Sequence, residues 1–345
     1  MDWAKSYTMS LRLMRVDRDT WADGDEYGKV RSISIDRNST DSVPLLETAS
    51  IAIDQAINEE FEEQYMRIEA TITQDNATMR VPLMTALVMS ANGNLEYVES
   101  KTLSGYSVLK PADRTVVPKG FYAPKGSDGA EYVKELLMKG GVIAPISIVG
   151  SFELSSHIVF DLGATYLSCA WDVLDAAGWC MMISEEGEIT ISKKPDDPVL
   201  VIDNLNAGML ENAISYDLDY TKVPNRYYVV DGSTTYVAVN QDQGRTSVDA
   251  RQAYVDYMDD SPSYIDNESI DYYAKRRLEE ESTLVKKYSY TRKYYPGVLP
   301  FGKVQANLGS IGFDGELRVL TQSIDTENGI RVKETAGYEI KEYTA

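Results

Sequence analysis

The chain has 345 residues, with 34 Lys and Arg against 54 Asp and Glu, for a formal net charge of −20 at pH 7. Hydrophobic residues make up 43%, which supplies a sizeable core, and the length suits two or three domains. Such an acidic chain is repelled by phosphate backbones and anionic lipid, so stable binding to nucleic acid or membrane is not expected. Its one histidine, His157, nearly removes catalytic triads, multi-histidine metal sites and HExxH proteases.

The first third reads as strands. In YTMSLRLMRV, Met9, Leu11 and Leu13 fall on one face and Thr8, Ser10 and Arg12 on the other. VRSISID, ASIAID, QYMRIEATIT and VPLMTALVM follow. QYMRIEATIT puts Met66, Ile68, Ala70 and Ile72 on one face, and VPLMTALVM is apolar on both, as in a central strand. ANGN, residues 91–94, carries an Asn-Gly hairpin signal, after which Leu95 and Tyr97 resume the alternation. Short strands at this spacing argue for a barrel or sandwich. The N-terminal MDWAKSYTMSLRL lacks a secretory h-region, and no run of eighteen apolar residues occurs.

The middle is mixed. PKGSDGAEYVKELLMKGG has the marks of a capped helix, with Ser127 or Asp128 at the N-cap, Tyr132, Val133, Leu136 and Leu137 on one face, and Gly140 at the end. VIAPISIV reads as a buried strand. SCAWDVLDAAGW reads as a second helix closed by Gly178, and CMMISEEGEITISKK as two strands around a Glu-Glu-Gly turn. KKPDDP, residues 193–198, looks like a linker. Cys169 and Cys180 fit neither a disulfide framework nor a zinc pattern and are expected as buried small hydrophobes.

The last part returns to strands: NAISYDLDY, then RYYVVDGSTTYVAV around Asp231-Gly232. A polar stretch near 241–268 precedes NESIDYYAKRRLEEES, a helix with Asp271–Lys275, Arg276–Glu280 and Arg277–Glu281 at pairing distance. KKYSYTRKYY follows, with Tyr288, Tyr290, Arg292 and Tyr294 on one face, then GVLPFGKV, the strand KVQANL, the turn GSIGFDG and the strand ELRVLTQSI.

GVLPFGKV, residues 297–304, is nearly a nucleotide P-loop. It fails as one, because Val304 stands where a Mg²⁺-holding hydroxyl belongs, Pro300 has no N–H for phosphate, and a strand follows in place of a helix. The cluster at 286–297 mixes cations and aromatics, but the net charge disfavours a nucleic-acid platform; an exposed or subunit-facing strand is expected. Asp259, Asp260 and Asp266 lack EF-hand spacing and read as a solvated acidic loop. Glu185, Glu186 and Glu188 read as turn and edge residues rather than an acid–base pair. His157 reads as structural, and Trp171 and Trp179 as core anchors.

The order of these parts resembles the baseplate-hub proteins of long-tailed phages and related contractile particles. GKVRSISIDRNSTDSVPLLETASIAID is similar to that family's opening barrel, and WDVLDAAGWCMMISEEGEITI to its middle helix and hairpin. VPNRYYVVDG is similar to the strand returning to barrel structure. NESIDYYAKRRLEEES, KKYSYTRKYYPGVLPFGKVQANL and GFDGELRVLTQSID are similar to the closing helix-plus-barrel segment. The resemblance implies a mainly β fold with an α+β insert: a first barrel at 1–110 completed by strands near 211–240, an insert at 111–200, and a second barrel at 201–345 with a helix at 268–284. GVLPFGKV would then be the loop entering the last barrel, with Lys303 opening a strand.

It further implies a structural, non-enzymatic virion protein with no catalytic, cofactor-binding or metal residues. The implied form is a homotrimeric ring that gives six quasi-equivalent units. Its implied partners are the tail tube or distal tail protein, the central spike or tip protein and the tape-measure protein; the excess of acid is expected to line the lumen of such a ring, so that DNA passes in transit without binding. The chain stops at Ala345, so receptor-binding or peptidoglycan-cleaving activity is expected on another chain. The reading from a different class is a carbohydrate-binding or carbohydrate-active β-protein, which would need two carboxylates facing across one cleft.

Overall fold

A computed structural model of the chain describes residues 2–40, 46–53, 61–94, 100–211 and 213–344. The first six strands are β1 (Thr8–Val16), β2 (Asp23–Asn38), β3 (Leu46–Ile53), β4 (Gln64–Gln74), β5 (Ala77–Asn94) and β6 (Ser100–Tyr106). They run in the order β1-β4-β5-β6-β3-β2, and a β1–β2 pairing closes them into a barrel. Alternation dictates the filling: Leu13, Ile33, Ile35, Ile51, Met66, Ile68 and Ile72 point inward and are at most 1% exposed.

One turn assignment differs from expectation. ANGN does not turn; β5 runs through Asn94, pairing Asn92 with Thr102 and Gly93 with Lys101. The connection at 95–99, with Leu95 and Tyr97, lies outside the described residues. The tight hairpin is instead at Asp75-Asn76, where φ is 48° and 66°, between Gln74 and Ala77 of β4 and β5. Asn and Asp tolerate this left-handed backbone.

The middle body comprises α1 (Lys110–Arg114), β7 (Tyr122–Ala123), α2 (Gly129–Lys139), β8 (Ile146–Val149), β9 (Ile158–Val159), α3 (Tyr166–Ala177), β10 (Trp179–Ile183) and β11 (Ile189–Lys193). Asp128 caps α2 by accepting from the N–H groups of Ala130 and Glu131. Thr165 and Ser168 form a capping box on α3, and Gly178 ends it at φ 66°. Both helices pack their apolar faces on the sheet β10-β11-β8. VIAPISIV does not make the expected buried strand. Only 146–149 are extended, at a sheet edge, with Ile146 and Ile148 half-buried and Val149 exposed.

β5 is apolar on both faces because it serves two bodies: Leu83 lies in the barrel core, and Leu87 packs with the middle body. There the β10–β11 turn presses on the barrel. Trp21 Nε1–H donates to the Glu186 carbonyl at 3.0 Å, and the Thr85 hydroxyl to the Glu185 carbonyl at 3.2 Å. Gly187, at φ 79°, leaves no room, since a Cβ there would stand 2.7 Å from Thr85 Cβ. G187A therefore combines a disfavoured φ with a clash against the base of a buried barrel side chain. Its expected cost is about 2–4 kcal/mol, read as a lower urea midpoint with an unchanged slope.

The rest of the chain builds a second, open barrel and a small satellite. In chain order these are β12 (Pro198–Ile202), β13 (Ser215–Asp217), β14 (Arg226–Asp231), β15 (Thr234–Val239), α4 (Val248–Arg251), β16 (Asp256–Asp259), α5 (Ile270–Glu281), β17 (Thr283–Lys293), β18 (Lys303–Leu308), β19 (Phe313–Asp325) and β20 (Arg331–Lys341). The second barrel runs β12-β18-β19-β20-β17-β13. The satellite is the sheet β15-β14-β16 under α5, cored by Tyr227, Val229, Ala238, Tyr273 and Leu278. Strands near 211–240 thus do not complete the first barrel, which closes on itself; β13 pairs with β17, and β14 and β15 belong to the satellite.

The two barrels are one sheet. The last residues of β2 leave β1 and pair with β19, Ser34 opposite Asp325 and Asn38 opposite Thr321. Their cores are likewise continuous, from Ile35 and Ile51 through Ile324 to Val332 and Ala336.

Candidate functional site

The face carrying Tyr288, Tyr290, Arg292 and Tyr294 is not exposed or subunit-facing. It lines the second barrel, and all four side chains are at most 4% exposed. Arg292 is held there by Glu334 of β20, with Nη2 to Oε2 at 2.6 Å and side chains 1% and 0% exposed. The Tyr290 hydroxyl donates to the other Glu334 oxygen. Burial, with the neighbouring Glu334 charge, holds the Tyr290 hydroxyl well above its ordinary value.

The first barrel carries the counterpart. Arg37 and Glu47 face each other across β2 and β3, Nε to Oε1 at 2.8 Å, each side chain 1% exposed. Gln322 of β19 joins the two pairs. Its Nε2 donates to Glu334 at 2.7 Å, and its Oε1 lies 3.4 Å from Arg37 Nη1. A chain of buried polar groups, Glu47–Arg37–Gln322–Glu334–Arg292, therefore crosses the joint between the barrels. One oxygen, Glu47 Oε2, has no hydrogen-bond partner among the described residues. Burial pushes the Glu47 carboxyl up to about 7; Arg37 pulls against this and nearby Glu185 adds to it.

Glu185 brings the middle body to the same place. It is not an edge residue: it is 7% exposed and reaches into the joint, where its carboxylate accepts from Gly297 N–H at 2.8 Å and the Tyr294 hydroxyl at 3.2 Å. The near-P-loop does hold an anion, namely the protein's own carboxylate. Several of its other groups bond within the protein. Phe301 N–H donates to Val319, Gly302 N–H to Leu299, and the Val298 carbonyl accepts from Gln322. Phe301 packs on Trp171 of α3 at 6.0 Å between centroids. Lys303 opens β18 as expected. A third buried pair, Arg12–Glu69, bonds across β1 and β4 at 2.7 Å, so Arg12 is not on a solvent face.

The remaining sequence candidates do not converge on this joint. His157 is exposed and its Nδ1 accepts from Lys125 N–H at 3.0 Å. Asp259 accepts from the hydroxyls of Tyr273 at 2.6 Å and Tyr227 at 3.2 Å, while Asp266 caps Glu153 N–H. Trp171 and Trp179 are buried in the middle body. Cys169 and Cys180 are buried and unbridged, and burial pushes their thiols up to about 12 and about 11. Among the described residues, no group of three or more His, Cys, Asp or Glu is placed to hold a metal, and no helix is long and apolar enough to cross a membrane.

The sequence matches no protein-family model and no curated protein. Solved structures do match it. A tail protein from Neisseria meningitidis MC58 superposes with a TM-score of 0.67 at 13% identity, over 96% of this chain and 97% of that one. The 43 kDa tail protein of prophage MuSo2 from Shewanella oneidensis gives 0.64 at 10% identity, over 95% and 98%. The E. coli c3393 protein, a type VI secretion component described as structurally similar to T4 phage tail proteins gp27 and gp5, gives 0.51 at 9% identity, over 92% and 74%. The fold is therefore that of phage tail proteins. With two joined barrels around a mixed insert, it is of the baseplate-hub type.

Proposed function

We propose that this chain is a structural hub of a phage or phage-like tail, acting in the virion as a homotrimeric ring between the distal tail tube and the central spike or tip. The observation that carries the reading is the β2–β19 pairing, which fuses two barrels into one sheet within a fold shared with tail proteins. Two joined barrels per chain give a trimer six barrels, which adapts a sixfold tube to a threefold spike. The buried polar chain across the joint fixes the angle between the barrels, since an unpaired charge there is costly.

In this reading the tape-measure protein also contacts the ring. DNA passes through a lumen whose acidic surface, drawn from the net charge of −20, keeps it from sticking. The role is assembly rather than catalysis. Native mass of the purified protein over a concentration range, then imaging of the assembled tail, tests it. The expected species is a trimer with a central hole, and a ring of any other order, in solution or in the particle, overturns it.

A further inference from the structure

A cleft of about 390 Å³ lies between the middle body and the satellite, walled by α3 and β9 on one side and by β14, β16 and α5 on the other. It is a fixed feature, because residues 264–267 bond along 153–156 at one end: Leu154 bridges Ile265, Ser155 N–H donates to the Tyr264 carbonyl at 3.1 Å, and Asp266 N–H to the Glu153 carbonyl at 3.2 Å. Its lining carries an excess of negative charge. Asp172 and Asp175 of α3 face Asp259 and Asp260 across it.

Among the described residues the lining holds a single cation, which does not balance them. Arg277 is held by Glu280 at 2.8 Å and Glu281 at 3.1 Å, and stands 3.7 Å from Asp175. Asp172 has no hydrogen bond or ion pair among the described residues, and the charges that act on it, Asp175 and Asp161, are both negative. At the mouth stand two unpartnered aliphatic side chains, Val159, 77% exposed, and Met258, 67% exposed. Tyr257, 43% exposed and stacked at 5.1 Å on the buried Tyr227 ring, adds a ring face suited to a cation.

We infer that this cleft is a docking slot for an extended segment of another protein that carries Arg or Lys beside an aliphatic residue. The cation would enter among Asp172, Asp175 and Asp260, and the aliphatic neighbour would cover Val159 and Met258. The commitment to a basic segment rests on charge complementarity, with carboxylates left over after the internal ion pairs are assigned. The commitment to a peptide over a free cation rests on the apolar mouth beside the carboxylates, which a small ion would leave uncovered. The inference stands apart from the tail reading and does not need it.

The probe is acetyl-Leu-Arg-Leu-Arg amide, titrated by calorimetry into the full chain, with acetyl-Leu-Gln-Leu-Gln amide as control. Expected is saturable one-to-one binding of the basic peptide alone, weakened about tenfold or more by D172N/D175N and by raised salt. These two exchanges leave the apolar packing of α3 untouched, and Arg277, which loses its 3.7 Å contact with Asp175, keeps Glu280 and Glu281; a urea midpoint equal to the parent's checks that the fold is retained. E131Q/E135Q on the outer face of α2 controls for general acidity and is expected to bind as the parent does. The inference is overturned by absent saturation, by equal binding of the Gln peptide, by equal losses in both double variants, or by unchanged affinity in D172N/D175N. A D172N/D175N effect confined to the native mass of the chain alone would assign the slot to a second copy and also overturn it.

Discussion

Replacing Glu334 with alanine is expected to lower the unfolding free energy by about 3–5 kcal/mol, the largest single-residue effect outside the apolar core. Glu334 is fully buried and is the acceptor for three groups: the Arg292 guanidinium, the Tyr290 hydroxyl and the Gln322 amide. Removing it leaves a buried guanidinium without a counter-charge and two further donors without acceptors, each of which costs more than a net hydrogen bond returns. The double exchange R292M/E334L removes the charge with its partner. It is expected to recover part of the loss but not all, because the Tyr290 hydroxyl and one of the two Gln322 amide hydrogens stay unsatisfied, the other keeping the Val298 carbonyl. Urea unfolding of the parent and both variants decides this. A loss under about 1 kcal/mol in E334A would mean that water reaches Arg292, and that the joint is not the rigid element described above.

The parts of this fold that were legible in the sequence are those governed by a local rule. The helix ends at Asp128 and at Gly178 follow from backbone groups that only certain residues satisfy, whereas the Thr165 cap of α3 carried no reading of its own. The inward set Met66, Ile68, Ala70 and Ile72 follows from the two-residue period of a strand. What alternation cannot supply is which face is the inside. For β17 the cations among the tyrosines pointed to an outer face, yet the same alternation holds when a barrel interior pairs Arg292 with Glu334, 42 residues further on.

The same ambiguity hid Arg12 and Arg37. Their partners, Glu69 and Glu47, sit on other strands and become visible only once register is known. Glu185 was misread for a related reason, since a turn residue can be buried when the turn docks on another body. ANGN lost its turn to tertiary pairing, because β6 offered β5 a partner through Asn94. Asp75-Asn76, which has no Asn-Gly signal, makes the tight turn. The near-P-loop could be excluded from sequence by its own chemistry, although its actual ligand, the Glu185 carboxylate, comes from a turn 112 residues away.

The joint between the barrels is correspondingly long-range. No single motif marks it, since the joint draws on β2, β3, the β10–β11 turn, β17, β19 and β20. A joint made of charges also titrates, and Glu47 is the group through which it does so. Its folded-state carboxyl, pushed up to about 7 by burial with Glu185 adding, compares with an ordinary value of 4.5. Between those values the folded state binds a proton that the unfolded state has released, so the contribution of Glu47 to stability falls as pH rises through this window.

Below pH 4.5 both states are protonated and Glu47 carries no ionisation cost; above pH 7 the cost is complete, on the order of 3 kcal/mol. Other carboxylates titrate over part of the same range, so the readout is the difference between E47Q and the parent at each pH. The amide introduced by E47Q keeps an oxygen for the Arg37 Nε–H and never ionises. E47Q is therefore expected to gain on the parent steadily from about pH 5 to about pH 8, by up to about 3 kcal/mol. A difference that stays flat across that range would show that Glu47 is ionised throughout, with Arg37 offsetting its burial in full. The rise, if found, makes the joint looser as pH climbs, and it would appear as an angle between the barrels that relaxes at high pH in the parent and not in E47Q.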